Sequence, residues 1–316
     1  MVGALKMLEQ AIAIARELGA KDNLSGALNN AGNILRRLNR QDEARRNFEE
    51  CLSIAVQLNN RAQIARSHLT LASLAFDEGN LLSASDHNQQ ALSMANSLND
   101  ARLKAGVLQH VGDMKEAQGD LAAARQAYEE SIALSRTLKA QQYIADGAAT
   151  VADIAREQKD YGAANRSWSE AMEYYRSQKQ KSELWDAQLV GARIRMATGA
   201  AAGTEKEIEE SAAGFHSIKA AARETSAYTV LAECFLAQHK AARARNAIQR
   251  GREAYLATHE FRARMQYRLA SARVMAALGD RARAAGDLEA SVAELESKNW
   301  SQLASEARQA LAGLRQ

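Results

Sequence analysis

Small and apolar residues recur along this chain with a period of forty residues. In the blocks of twenty that begin at residues 21, 61, 101, 141, 181, 221 and 261, the twelfth position is always tiny: Gly32, Ala72, Gly112, Ala152, Ala192, Ala232 and Ala272. Two positions later every block has an apolar residue: Ile34, Leu74, Met114, Ile154, Ile194, Cys234 and Val274. A pattern repeated seven times without an insertion indicates a tandem repeat.

The blocks between these carry a second small position, at Ala44, Ala84, Ala124, Ala164, Thr204, Ala244 and Ala284. Four residues later stands a mostly large residue: Phe48, Asn88, Tyr128, Trp168, Ile208, Ile248 and Leu288. A spacing of four places both on one helical face, where the small residue lets a neighbouring helix approach and the large one fills the seam. We therefore predict one helix in each block, and we name the two alternating kinds first-type and second-type helices.

The ends of several blocks predict tight turns between these helices. They read EGN, QGD, QKD and LGD at residues 78–80, 118–120, 158–160 and 278–280. Glycine can take the left-handed conformation that ends a helix, and the Asn or Asp after it can cap the next helix. Such hairpins bury both faces only by stacking, so we predict an all-α solenoid of about sixteen helices. In TGAAAGT, at 198–204, we expect an extended turn or frayed helix start and some bending.

The composition favours an all-helical chain and argues against several classes of protein. The 316 residues include no proline and only 5% aromatic residues, and proline is the residue that helices tolerate least. Cys51 and Cys234 lie far apart without a CxxC or histidine spacing, so we expect core residues rather than a disulfide or zinc site. The chain has no membrane-length apolar run and no signal layout, which predicts a cytoplasmic protein with no membrane partner.

The first repeat resembles the tetratricopeptide repeat motif, W-x2-L-G-x2-Y followed by A-x3-F and then P. The corresponding positions hold Leu28, Ala31, Gly32, Leu35, Ala44, Phe48 and Cys51, with Val56 in place of proline. The forty-residue period and the string NNAGN resemble the long-helix branch found in kinesin light chains and bacterial multidomain regulators. The resemblance implies a right-handed superhelical solenoid of antiparallel helix pairs.

The register divides the chain into four parts. Residues 1–20 form a second-type helix of an incomplete repeat, 21–180 four regular repeats, 181–300 three divergent repeats and 301–316 a C-terminal capping helix. Because the stack opens in the middle of a repeat, we expect a fragment of a longer protein. The later repeats resemble the C-terminal regions of bacterial regulators that carry a kinase or winged-helix domain upstream.

Catalytic and metal-binding motifs are absent from the sequence. It contains no HExxH, no GxxxxGK[ST] and no GxSxG, and its six histidines share no ligand spacing. We expect His68 and His110 to be structural residues at helix seams. We therefore predict a protein that is not an enzyme and needs no cofactor or metal.

The resemblance implies a concave surface lined by first-type helices, which binds a partner protein or peptide. Its candidate residues run from basic through acidic to basic: Asn29, Asn33, Arg36, Arg37, Arg66 and Phe76, then Asp113, Asp146 and Asp153, then Arg193 and Arg273. Family members of the long-helix branch use an asparagine equivalent to Asn33 to hold a ligand backbone. We predict a protein-interaction scaffold. An upstream domain of the same chain is one candidate partner.

Two other functional hypotheses stay open on the sequence alone. One is a regulatory or ligand-sensing segment of a bacterial signal-transduction protein, and the other is a nucleic-acid-binding solenoid. A formal charge of +3 does not indicate nucleic acid. However, ten arginines lie between residues 243 and 283. We favour the interpretation that they flank the apolar stripe of their helices over the alternative that they bind an anionic partner. For Trp168, Tyr174, Tyr175 and Trp185 we favour core packing over a docking patch.

Overall fold

A computed structural model describes residues 2–315, and in that range the chain is helical with no strand. The contacts divide it into two units, one ending at Val111 and the other beginning at Gly112. The expected all-α stack of helix pairs is confirmed. No helix in the described residues is long and apolar enough to cross a membrane.

The helices follow the twenty-residue register found in the sequence. The first unit contains α1 (Val2–Glu17), α2 (Lys21–Arg37), α3 (Gln41–Gln57), α4 (Arg61–Asp77), α5 (Leu81–Ser97) and the first part of α6 (Ala101–Ala117). The second unit continues with α7 (Leu121–Thr137), α8 (Gln141–Glu157), α9 (Tyr161–Ser177), α10 (Lys181–Ala197), α11 (Glu205–Ser217), α12 (Ala221–Ala237), α13 (Ala241–Arg250), α14 (Arg252–Ala257), α15 (Phe261–Ala277), α16 (Arg281–Ser297) and α17 (Ser301–Arg315).

Most of the turns reverse the chain through one left-handed residue at the nineteenth position of the block. Glycine takes this position at Gly79, Gly119 and Gly279, as predicted, but Asn, Lys and His also take it, for example Asn39 at φ 59° and Lys159 at φ 62°. The following Asn or Asp accepts a hydrogen bond from the third amide of the next helix at Asn60, Asn80, Asp120, Asp160 and Asp280. The predicted caps are therefore present, and they join successive helices as antiparallel hairpins.

All seven residues at the first small position of the repeat are buried at helix crossings, as expected. A methyl group built on Gly32 would lie 2.4 Å from Phe48 Cε1, and one built on Gly112 would lie 2.3 Å from Tyr128 Cε2. The absence of a Cβ therefore lets the aromatic ring of the second-type helix rest on the backbone of the first-type helix.

Two segments depart from the regular repeat. Residues 198–204 form the expected extended turn, in which the Thr204 hydroxyl donates to the Ala201 carbonyl oxygen at 2.8 Å and both residues are buried. The bending expected there stays a prediction. The expectation of one helix in residues 241–260 is wrong, because Gly251 separates α13 from α14 and raises the described total to seventeen helices. A Cβ at Gly251 would lie 2.7 Å from Tyr228 Cβ, so close packing favours glycine, which is a weak helix former.

The aromatic residues at the junction of the fourth and fifth repeats belong mainly to the core. Trp168 Nε1 donates to the Ala187 carbonyl oxygen at 2.7 Å, and the Tyr175 hydroxyl donates to Asp146 at 2.7 Å. The Trp185 ring packs edge-on against Phe215 with centroids 5.5 Å apart. The favoured core interpretation is confirmed, as is the burial of Cys51 and Cys234 as free thiols.

Candidate functional site

The first group of candidate residues lies on two first-type helices of the first unit. We define the N-terminal patch as Asn29, Asn33, Arg36, Arg37 on α2 and Arg66 and Phe76 on α4. Arg37 and Arg66 are exposed, whereas Asn33 is half-buried and its Nδ2 donates to the Asn29 carbonyl oxygen at 3.0 Å. One donor of the Asn33 amide is therefore already used inside its own helix.

An ion pair joins the two helices of the N-terminal patch. Arg36 Nη1 lies 3.5 Å from Asp77 Oδ2, which places Arg36 beside the last turn of α4, where Phe76 also lies. Arg66 stands ten residues before Phe76, about 15 Å along the helix axis. The patch therefore offers one partly neutralised cation near an aromatic ring and two exposed arginines.

The candidate residues of the second unit do not form separate acidic and basic bands. Asp113 accepts a hydrogen bond from the Tyr128 hydroxyl at 2.5 Å. Asp153 lies 2.6 Å from Arg156 Nε and 3.5 Å from Arg193 Nη1. The expected acidic band followed by a second basic band is therefore wrong for this unit, because the acids and arginines neutralise one another.

Asp153, Arg156 and Arg193 line a large cleft in the second unit. It has a volume of about 1010 Å³ and is lined mainly by the first-type helices α6, α8, α10, α12, α15 and α17. We define the charged cleft by its ionic lining, which is nearly balanced in sign: Glu116, Asp153, Glu157, Asp186, Glu233 and Glu306 against Arg156, Lys159, Arg193, Arg262 and Arg273. Leu189, Val190, Met196, Leu236 and Leu269 add an apolar wall.

Arginines of the charged cleft cross-link helices that are distant in sequence. Arg262 Nη2 on α15 lies 2.5 Å from Glu116 Oε1 on α6. Arg273 on the same helix reaches Glu233 at 3.6 Å and Glu306 at 3.7 Å. These ion pairs link α15 to α6, α12 and α17.

Burial shifts the protonation of several carboxyls in the charged cleft. Burial, reinforced by the neighbouring charges of Asp153 and Glu116, raises the pKa of Glu157 to about 7. Burial likewise raises the pKa of Asp186 to about 6, against the opposing effect of Arg223. The pKa of Glu116 is also raised by burial. The cleft therefore loses negative charge as the pH falls from 8 towards 6.

The histidines have structural partners, as predicted for His68 and His110. His68 Nδ1 lies 3.0 Å from His87 Nδ1, and burial lowers the pKa of both rings. His110 Nε2 lies 3.2 Å from Ser73 Oγ, and burial together with Arg36 lowers its pKa to about 4. Within the described residues no group of three or more His, Cys, Asp or Glu side chains is placed to hold a metal.

Asp153, Arg193 and Arg273 were identified from the sequence, but several residues beside them were not. The missed ionic residues are Glu116, Arg156, Glu157, Lys159, Asp186, Glu233, Arg262 and Glu306. In the sequence, most of them stand near the inner-face positions of the repeat, but no sequence motif shows that they converge on one cleft. Arg262 stood out in the sequence only as one of ten arginines, and its partner Glu116 lies 146 residues away along the chain.

Comparison with protein families identifies repeats at two places. Residues 2–56 and residues 105–138 match models of the tetratricopeptide repeat. Comparison with curated proteins gave no match.

Solved structures with a similar fold include the following three proteins. A Rap protein complexed with competence and sporulation factor is 14% identical over 92% of this chain and 87% of its own, with a TM-score of 0.67. Aspartyl phosphate phosphatase F from Bacillus subtilis is 13% identical over 79% of this chain and 68% of its own, with a TM-score of 0.64. A tetratricopeptide repeat protein from Parabacteroides merdae is 13% identical over 99% of this chain and 100% of its own, with a TM-score of 0.52. At these identities the likeness shows the fold alone.

Proposed function

Because the chain belongs to the tetratricopeptide repeat family, we propose that it is a non-catalytic scaffold that binds a peptide or partner domain on its first-type helices. The observation that carries this proposal is the charged cleft, where six first-type helices place charges of both signs beside an apolar wall. A mixed-charge protein segment can exchange ion pairs with such a surface and bury apolar side chains against it.

The N-terminal patch of the first unit is a second proposed contact surface. Arg37 and Arg66 offer exposed cations, and Phe76 offers an aromatic surface near Arg36. A partner segment in an extended conformation, with an acidic residue and a bulky apolar residue, would match these cations and this aromatic surface. The Rap structure supports binding by such a fold, because that protein was crystallised with competence and sporulation factor.

We further propose a cytoplasmic role in bacterial signal transduction. The support is the similarity in fold to the Rap protein and to aspartyl phosphate phosphatase F. The division of the chain into residues 1–20, 21–180, 181–300 and 301–316 is also part of this proposal. A domain of the same chain would then be one partner of the scaffold, in keeping with the alternative of a regulatory segment.

Charge reversal in the N-terminal patch tests the scaffold function. After capture of a partner with the tagged full chain, we expect Arg37→Glu combined with Arg66→Glu to weaken binding at least tenfold, because attraction between charges becomes repulsion. Since both arginines are exposed, the melting temperature is expected to change little. Titration calorimetry at low and high salt measures the loss, and binding of the unmodified chain should weaken with salt.

The matched control is Lys6→Glu combined with Arg46→Glu, which makes the same charge change on exposed residues of second-type helices in the same unit. This control should bind within about twofold of the unmodified chain, since surface charges outside a contact act mainly on encounter rate. Equal weakening by the two pairs would show that net charge, and not the N-terminal patch, controls the interaction. If both double variants bind the partner normally, the N-terminal patch is not part of the binding site.

A further inference from the structure

The structure divides the arginines between residues 243 and 283 into two groups. On the first-type helix α15, Arg262, Arg268 and Arg273 form ion pairs with glutamates, and Arg264 lies over the Tyr255 ring at 5.4 Å. On the second-type helices the arginines are exposed: Arg243, Arg245, Arg250, Arg252, Arg281 and Arg283. Among the described residues, Arg250 is the one member of this exposed group with an ion pair, to Glu209 at 2.8 Å.

Elsewhere in the chain, neighbouring second-type helices are joined by arginine–glutamate pairs. Arg16 on α1 meets Glu50 on α3 at 2.6 Å, and Arg136 on α7 meets Glu170 on α9 at 3.0 Å. Arg250 on α13 meets Glu209 on α11 in the same way. Among the described residues, the other exposed arginines on α13, α14 and α16 form no such pair.

Helix geometry places several of these arginines in one groove. Arg250 lies on the side of α13 that faces the preceding repeat, since it reaches Glu209 on α11, and Arg243, seven residues earlier, lies on the same side at about 100° per residue. Arg245 on α13 and Arg252, the first residue of α14, are seven residues apart. Gly251 between them keeps right-handed helical backbone angles, φ −76° and ψ −5°, so at about 100° per residue both arginines lie on the opposite side.

The facing wall comes from α16, which packs against α15 as α13 does. Arg283 occupies the register of Arg243 forty residues earlier, so it lies on the side of α16 that faces α13. We define the outer groove by Arg245, Arg252 and Leu256 on one wall and Arg283 on the other. Among the described residues, neither Glu253 nor Asp287 forms an ion pair with these arginines, although both are close in sequence.

We propose that the outer groove binds an acidic segment of a protein partner, as a second interaction surface separate from the charged cleft. Arg245 and Arg252 are about 10 Å apart along the helix axis, which matches carboxylates three residues apart on an extended chain. Leu256 is 60% exposed one turn after Arg252 and offers an apolar contact beside the cations. Proteins that bind single-stranded nucleic acid use aromatic side chains on which the bases stack. None of the described residues that define the outer groove is aromatic, so a protein segment fits the groove better.

A synthetic peptide with glutamate at every third position, separated by leucine and serine, is a direct probe of this groove. Fluorescence anisotropy of the labelled peptide with the full chain at low salt should show saturable binding. A peptide with glutamine in place of glutamate should bind at least tenfold more weakly. Arg245→Glu combined with Arg252→Glu should reduce binding of the acidic peptide at least tenfold, and Arg252→Gln combined with Arg283→Gln should reduce it several-fold.

The matched control is Arg166→Glu combined with Arg176→Glu, on exposed positions of the second-type helix α9. It should leave binding within twofold, and melting curves should show that all variants fold. Equal weakening by the control pair, or equal binding of the glutamine peptide, would overturn the proposal. A single-stranded DNA oligonucleotide that binds more tightly than the acidic peptide, and depends on Arg245 and Arg252, would also overturn it in favour of a nucleic-acid site.

Discussion

Replacement of Gly112 by leucine is expected to destabilise the second unit by about 3 kcal/mol or more, because the new side chain has no space. A Cβ alone would lie 2.3 Å from the Tyr128 ring, which is 3% exposed and held by its hydroxyl bond to Asp113. The ring therefore cannot move aside without exposing apolar surface and breaking that bond. Thermal unfolding followed by circular dichroism measures the effect as a lower melting temperature.

Gly286 provides the matched control for this substitution. It lies on the second-type helix α16, is exposed, and has nothing within 4 Å of an added Cβ. Gly286→Leu should leave the melting temperature unchanged or raise it slightly, since removing an exposed helical glycine gains up to about 1 kcal/mol. Combining Gly112→Leu with Tyr128→Ala should cost less than the sum of the two single changes, because leucine then fills the space of the ring. Strict additivity, or an unchanged melting temperature in Gly112→Leu, would contradict the assigned packing.

Removal of the Arg262 guanidinium is expected to cost about 3 kcal/mol at pH 7.5, because Glu116 is left as a buried charge without its closest cation. Glu116 is 8% exposed, and its carboxylate lies 2.5 Å from Arg262 Nη2. Burial raises the pKa of Glu116 above its ordinary value, so loss of the arginine should raise it further. An acid whose pKa is raised by folding destabilises the fold only while it is ionised. The loss in Arg262→Met should therefore be smaller at pH 5 than at pH 7.5.

The double variant Glu116→Gln with Arg262→Met separates the cost of an isolated charge from the value of the pair. We expect it to recover most of the stability lost in Arg262→Met, since replacing both ions is often nearly neutral. Denaturant unfolding of the three proteins at both pH values gives the comparison. If the stability lost in Arg262→Met, relative to the unmodified chain, is no larger at pH 7.5 than at pH 5, or the double variant is as unstable as the single one, the ion pair does not have the role assigned to it.

The helices and their contacts could be predicted because small and large residues recur at the same positions of every repeat. The recurrence of Gly32 and Gly112 identified a buried position, and the structure adds that the rings of Phe48 and Tyr128 pack on these glycines. The lysines in left-handed turns could not be predicted, since Lys159 at φ 62° adopts a conformation that costs about 1 kcal/mol outside glycine. There the closing hydrogen bonds of the turn and the capping Asp160 outweigh local preference.

The candidate site was predicted only in part, because position on an inner helix face does not specify an ionic partner. Asp153 was expected in an acidic band, but it neighbours arginines from its own helix and from α10. The pairing of Glu116 with Arg262 depends on the contact between helices far apart in sequence, and a helical pattern carries no information about such contacts. The register assigns the arginines of residues 243–283 to first-type and second-type helices, but it does not specify which of them form ion pairs, since those pairs depend on glutamates of other helices.

Site-specific photocrosslinking tests the central claim, which is that the partner binds the first-type helices. A photoreactive amino acid is placed at Ser226 or Gln266, which line the charged cleft, and at Asn165 or Ser169, which are exposed on the second-type helix α9. The account predicts that the captured partner is crosslinked from Ser226 and Gln266 and not from α9. Crosslinks from Asn165 or Ser169 with none from the cleft would contradict it.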